Sequence, residues 1–244
     1  MTSASTPEPA RSAAAPGSDW ATAWDHAENV GGWMTVEQGR GLWAAAAAVA
    51  TGERILEIGS HQGRSTVVLA TAARGRAARV TAIDPFIEGR LFGGMATRDR
   101  FEQNLAQAGV RDVVDLIVEK STVLRPTWTE PLAMLYIDGK HDYWTVRDDL
   151  RWTEHVTDGA PVLVHDSFSS IGVTLGLLLH ALPNPRLRYL GRTGSMARFE
   201  VGAPSRRDRM RMLAELPWFA RNVAIKIGLR VLRVVGYRGT PDPY

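Results

Sequence analysis

Short apolar runs and longer amphipathic segments alternate along most of the chain. The apolar runs at 54–58, 80–83, 113–118, 132–137 and 162–164 predict strands. Between and around them, helix-like patterns occupy 36–50, 64–73, 98–108, 143–156 and 171–182. Glycines punctuate the series: Gly52, Gly109 and Gly159 each close a predicted helix. Two further runs, 186–190 and 196–201, flank Gly191 and Gly194 and read as a hairpin. The alternation predicts an α/β, Rossmann-like fold. Its sheet is mostly parallel and seven-stranded, with helices on both faces and a closing antiparallel hairpin. Residues 20–33 are aromatic without a clear period and read as irregular.

The two ends differ from this body, which spans 19–203. Residues 1–18 are Ala, Ser, Thr and Pro with little apolar bulk, the composition of a disordered leader. They lack the basic and apolar regions of a secretory signal. In the tail, 204–244, Met212, Leu216, Phe219, Val223, Ile227, Val231 and Val234 recur at three- or four-residue steps, interrupted by Pro217. They predict a basic amphipathic helix.

Charge sharpens this division. The whole chain is +3, yet residues 205–244 hold nine basic and three acidic side chains, so the body is net acidic. Packing on the body, pairing in a homo-oligomer and contact with an anionic membrane surface are all open to such a tail. Nucleic acid is a poor fit, because few aromatics are interleaved with the basic residues. There is no cysteine, which excludes disulfides, thiolate metal sites and cysteine nucleophiles. No run approaches the roughly 20 apolar residues of a membrane span. The expectation is a cytoplasmic protein, peripheral at most to a membrane.

Chemistry gathers at the carboxyl ends of the predicted strands, where sheets of this kind bind ligands. Glu57, Gly59 and Gly63 bracket a strand-to-helix turn; Asp84, Asp138 and Asp166 end three later strands. Glycine permits positive φ and close ligand approach. The helix starting near Arg64, Ser65 and Thr66 offers free N–H groups to an anion such as a methionine carboxylate. Asp84 is placed to accept hydrogen bonds from ribose hydroxyls. NAD is a competing ligand, but its Gly-x-Gly-x-x-Gly turn would need glycine where His61 stands.

The run RILEIGSHQGRSTVVLA resembles motif I of class I S-adenosylmethionine (SAM)-dependent methyltransferases. VTAIDPF, FEQNLAQAGVRD and LYIDGKHDYWTVRDDLRWTEHVTDGAPVLVHDSF extend the likeness to the bacterial small-molecule O-methyltransferase branch, related to catechol and sugar O-methyltransferases. The resemblance implies that SAM is held by Glu57, Gly59, Ser60, Gly63, Ser65, Asp84, Ser121 and Asp138. It implies a small hydroxylated acceptor, contacted by loops at 20–35, 86–97 and 167–172. A non-catalytic SAM-binding module recruited through the tail is the alternative of a different class.

Methyl transfer needs an acceptor that is positioned and helped to ionise. Asp138 and Asp166 could share a cation such as Mg²⁺, the arrangement that metal-dependent relatives imply. His165 beside Asp166 is a candidate third ligand, although imidazole suits softer metals. The other device is His141 as general base, with Asp142 to orient it. Metal assistance is preferred to His141 acting alone.

Overall fold

The computed structural model describes residues 19–88 and 93–234, the side chains of 231–234 excepted. Five parallel strands make the centre of one sheet: β1 (Arg54–Ile58), β2 (Arg79–Ile83), β3 (Val114–Ile117), β4 (Met134–Ile137) and β5 (Pro161–Val164). A hairpin of β6 (Leu187–Thr193) and β7 (Met196–Val201) closes it, with β7 antiparallel to β5. The spatial order is β3-β2-β1-β4-β5-β7-β6. It switches direction between β1 and β4, and this opens a crevice beyond their carboxyl ends.

Helices cover both faces, as the alternation predicts. In chain order they are α1 (Trp20–Ala27), α2 (Val36–Ala47), α3 (Arg64–Arg74), α4 (Met95–Gln107), α5 (Ser121–Leu124), α6 (Tyr143–Leu150), α7 (Ile171–Gly176), α8 (Arg206–Leu213) and α9 (Leu216–Val234). The central strands are apolar throughout because each face has its own core. Ile55, Val80 and Tyr136 join Leu42, Val67, Val68 and Phe101 on one side. Leu56, Ile58 and Leu135 join Val146, Leu150, Val173 and Leu177 on the other. Side chains alternate along a strand, so Glu57 points to the same face as Ile55, towards α3.

Three expectations need correction. Residues 20–27 are helical: Asp19 caps α1 by accepting from the Thr22 N–H at 2.9 Å. The aromatic residues are the packing side of that helix, with Trp20 stacked on Trp24 and Ala23 and Ala27 fully buried. The predicted helix at 171–182 is α-helical only to Gly176 and widens into a π turn over Leu177–Ala181. The tail is two helices where the apolar spacing suggested one. A Ser205–Asp208 capping box starts α8. Pro217 lies in the first turn of α9, where its missing N–H leaves no helical bond unmade.

The tail helices lie against the body. Met212 of α8 is buried, and Glu215 accepts from Tyr189 Oη at 3.0 Å and Arg192 Nε at 2.7 Å, both on β6. The leader at 1–18 and the end of the tail at 235–244 lie outside the described residues, as do residues 89–92 of one expected acceptor loop. Among the described residues, no helix is long and apolar enough to cross a membrane.

Candidate active site

Main-chain hydrogen bonds run one step past the strand ends and set the site in register. Gly59 N–H donates to Ile83 O, Asp84 N–H to Ile117 O, Asp138 N–H to Ile58 O, and His165 N–H to Ile137 O. Four chemistry-bearing positions from four strands therefore sit along one edge. Backbone strain concentrates in the adjoining loops: His61, Phe86, Asp166 and Phe168 all have φ between +43° and +58°.

The glycine turn is built around close approaches. Gly59 has φ +87°, and a Cβ there would lie 2.3 Å from the Asp138 carbonyl oxygen. Gly63, at φ +89°, is the N-cap of α3, and its Cβ would meet Leu105 at 2.9 Å. A carboxylate holds the turn in shape: Asp84 Oδ2 accepts from the N–H groups of Ser60 and His61, each at 2.9 Å, and Oδ1 accepts from Phe86 N–H at 2.8 Å. Asp84 Oδ1 retains a lone pair for a ligand hydroxyl.

Glu57 is fully buried, and its two oxygens accept from Ser65 Oγ and Thr66 Oγ1, both at 2.5 Å. It therefore braces the first turn of α3, with Ser65 on that brace. Burial pushes its carboxyl up to about 7 against the opposing effect of those hydroxyls. Ser60 is buried in the turn. Ser121 opens α5, and its Oγ donates to Asp149 Oδ1 at 2.5 Å. Asp149, unsuspected from sequence, is fully buried on α6, and burial raises its carboxyl to about 7. Only its place in a buried position of an otherwise amphipathic helix could have signalled it.

Across the crevice, Asp138, His141, His165 and Asp166 form one cluster. His141, nearly half exposed at the rim, has Nδ1 3.0 Å from Asp166 Oδ2 and Nε2 3.6 Å from Asp138 Oδ1. His165 is buried, with Nδ1 3.2 Å from Asp138 Oδ1, an ion-pair contact whose N–H is not aimed at the oxygen. Its Nε2 meets Gln38 Oε1 at 3.2 Å. Tyr136 Oη donates to Asp138 Oδ2 at 3.1 Å, and Ser169 Oγ to Asp166 Oδ1 at 3.1 Å.

Burial opposes every charge in this cluster, and the opposite charges win. The His165 and His141 imidazoles together hold Asp138 below the usual carboxylate range. Asp166 is held well below it, by His165 above all. Against its own burial, His165 is raised to about 10 by Asp138 and Asp166. His141 is raised as well, by the same two carboxylates.

The structure thus brings Asp138 and Asp166 together, but around imidazoles. Among the described residues no group of three or more His, Asp or Glu is set to hold a metal ion. Two carboxylates paired with two imidazoles do not fit Mg²⁺, a hard ion that seeks an oxygen shell. Asp142 is engaged elsewhere: it caps α6 through Thr145 and pairs with Lys140 at 3.1 Å. Tyr143 Oη meets His180 at 2.9 Å, and Trp152 is core.

Residues 56–167, from β1 to the loop after β5, match a family described as Methyltransferase domain. Every candidate site residue named above for cofactor, base or metal falls inside that segment. That segment is therefore similar to a methyltransferase domain, carried on a Rossmann-like sheet. Solved structures share the fold. One is the O-methyltransferase TomG from Streptomyces achromogenes, involved in tomaymycin synthesis and solved with SAM. It is 20% identical, covers 75% of this chain and 88% of its own, and has a TM-score of 0.55. An O-methyltransferase from Bacillus cereus in complex with SAH is 21% identical, with 75% and 90% covered and a TM-score of 0.54. The cofactor-bound protein Rv0187 from MTB is 22% identical, with 74% and 88% covered and a TM-score of 0.57.

Proposed function

We propose that the protein methylates a hydroxyl oxygen of a small acceptor, with His141 as general base. The observation that carries this reading is the placement of His141 at the rim of the crevice between Asp138 and Asp166. With Nδ1–H donated to Asp166, the neutral ring presents Nε2 as the proton acceptor. Asp166 then stabilises the imidazolium that forms, as the carboxylate does in other His–Asp pairs. His165 keeps both carboxylates ionised and is itself tied to α2 through Gln38.

SAM supplies a methyl group on a sulfonium, an electrophile that needs no further activation. The chain's residues do the rest. Gly59 and Gly63 leave room for close approach, and the N-terminus of α3 offers N–H groups to the carboxylate of the methionine moiety. On this reading Asp84 serves the ribose hydroxyls and Ser121 the adenine side. The acceptor oxygen forms a bond to the methyl carbon as the carbon–sulfur bond breaks, and its proton passes to His141 Nε2. The donor leaves as the neutral thioether.

This reading sets aside the shared cation, because its expected ligands are paired with imidazoles. A screen of small phenols, catechols and sugars with labelled SAM tests it. Methyl ether formation indifferent to EDTA supports the base. Activity abolished by EDTA and restored by Mg²⁺ would return the metal to the mechanism, and absence of any labelled product would count against catalysis.

A further inference from the structure

The loop that presents Asp166 is held from outside the matched segment. Asp166 and Phe168 have φ of +53° and +58°, a region L-residues adopt only when their surroundings impose it. From the body, Ser167 N–H donates to Ser195 O at 2.7 Å, and Ser167 Oγ to Val164 O at 2.8 Å. From α9, Asn222 Nδ2 donates to Phe168 O at 3.2 Å, and Lys226 Nζ to Ser169 O at 3.0 Å. Asn222 is fully buried in mid-helix, where its propensity is poor and an amide is costly unless bonded. Its Oδ1 has no partner among the described residues, so its hold on the loop runs through Nδ2.

The chain of contacts leads directly to the base. Ser169, whose carbonyl Lys226 holds, donates its Oγ to Asp166 Oδ1. Ser170 Oγ donates to the His141 carbonyl at 3.2 Å. Asp166 Oδ2 meets the His141 ring. We propose that Asn222 and Lys226 of the C-terminal helix are positioning residues: they lock the 166–170 loop so that Asp166 stays on His141 and keeps the imidazole tuned as a base. The helix is then part of the reaction site. This rests on the reading of His141 as base.

Several charged groups set the titration of His141. Asp138 comes from β4; His165 and Asp166 follow β5. Lys140 and Asp142, its chain neighbours, pair with each other, and Lys226 approaches from α9 through Ser169. If Asp166 drifts, His141 loses one of the two carboxylates that raise it, so its pKa falls towards the ordinary 6.5.

The test uses the full-length protein and three variants: Asn222→Leu, Lys226→Met and Lys226→Arg. NMR titration of the His141 imidazole reads the tuning without turnover; steady-state kinetics read catalysis; SAM calorimetry checks that the cofactor cleft is intact. Asn222→Leu and Lys226→Met should lower the His141 pKa and reduce kcat by about tenfold to a hundredfold, the range for loosening a supporting contact, with SAM affinity unchanged. Lys226→Arg, which keeps the donor, should behave as wild type. A His141 pKa unmoved in both loss variants would overturn the proposal, whether or not kcat falls. If the wild type makes no methyl ether, the methylation reading fails, while the imidazole titration still decides whether α9 holds the loop.

Discussion

Glu57→Gln isolates the energetic role of a fully buried acid at the glycine turn after β1. The carboxyl moves from its ordinary 4.5 in the open chain to about 7 in the fold, because burial outweighs the Ser65 and Thr66 hydroxyls that favour the charged form. Between those pH values the folded protein keeps a proton that the unfolded chain has released. Its stabilising effect is therefore complete below about 4.5 and lost as pH rises through about 7. At about 1.4 kcal/mol for each pH unit of that interval, the loss is about 3.5 kcal/mol. For a chain of this size it corresponds to roughly 7–14 °C in melting temperature. Glutamine has nearly the same shape and cannot ionise, so it should remove that slope. Its Oε1 still accepts from one hydroxyl, while its amide donates to the other. The assay is urea denaturation of wild type and variant at pH 5, 6, 7 and 8. Asp149, also raised to about 7, contributes equally to both proteins and cancels in the difference. The variant should gain on wild type by about 2.5 kcal/mol between pH 5 and pH 8, since the window omits the lowest part of the interval. A difference independent of pH would refute the reasoning.

Other outcomes follow from the same geometry. His141→Ala should lower kcat by about 10²- to 10⁴-fold, the usual contribution of a general base, while calorimetry shows unchanged SAM affinity. In wild type, kcat/KM should rise with pH as His141 loses its proton, with the limb above the ordinary imidazole value of 6.5 because Asp166 and Asp138 favour the charged ring. Gly59→Ala should abolish SAM binding and cost roughly 3–5 kcal/mol in denaturation, since its Cβ would collide with the Asp138 carbonyl. Gly52→Ala, at φ +84° with open space around it, should cost only about 1 kcal/mol and serves as the control.

The sheet was legible in sequence because its strands are short apolar blocks cut by glycines and aspartates at regular intervals. The hairpin was legible from the runs flanking Gly191 and Gly194. Helix α1 was not, since tryptophans at 20 and 24 carry its packing face and obscure the period that alanines usually show. The tail break was half visible: Pro217 was noted as an interruption, but its place in the first turn of a new helix depends on α8 ending before it. At the site, sequence located Asp84, Asp138, His141 and Asp166, because strand ends are recognisable. It could not show that His165 lies 3.2 Å from Asp138, which turns a plausible cation site into an imidazole–carboxylate cluster. Nor could it show that Asn222 and Lys226, over 50 residues past Asp166, reach back to the loop. Such long-range contacts exist only after the chain has folded.

Isothermal titration of the purified protein with SAM, SAH and NAD bears most directly on the cofactor assignment. SAM and SAH should each bind at one site per chain, and Gly59→Ala should abolish both, with NAD giving no heat of binding. Binding of NAD without SAM or SAH would contradict the assignment.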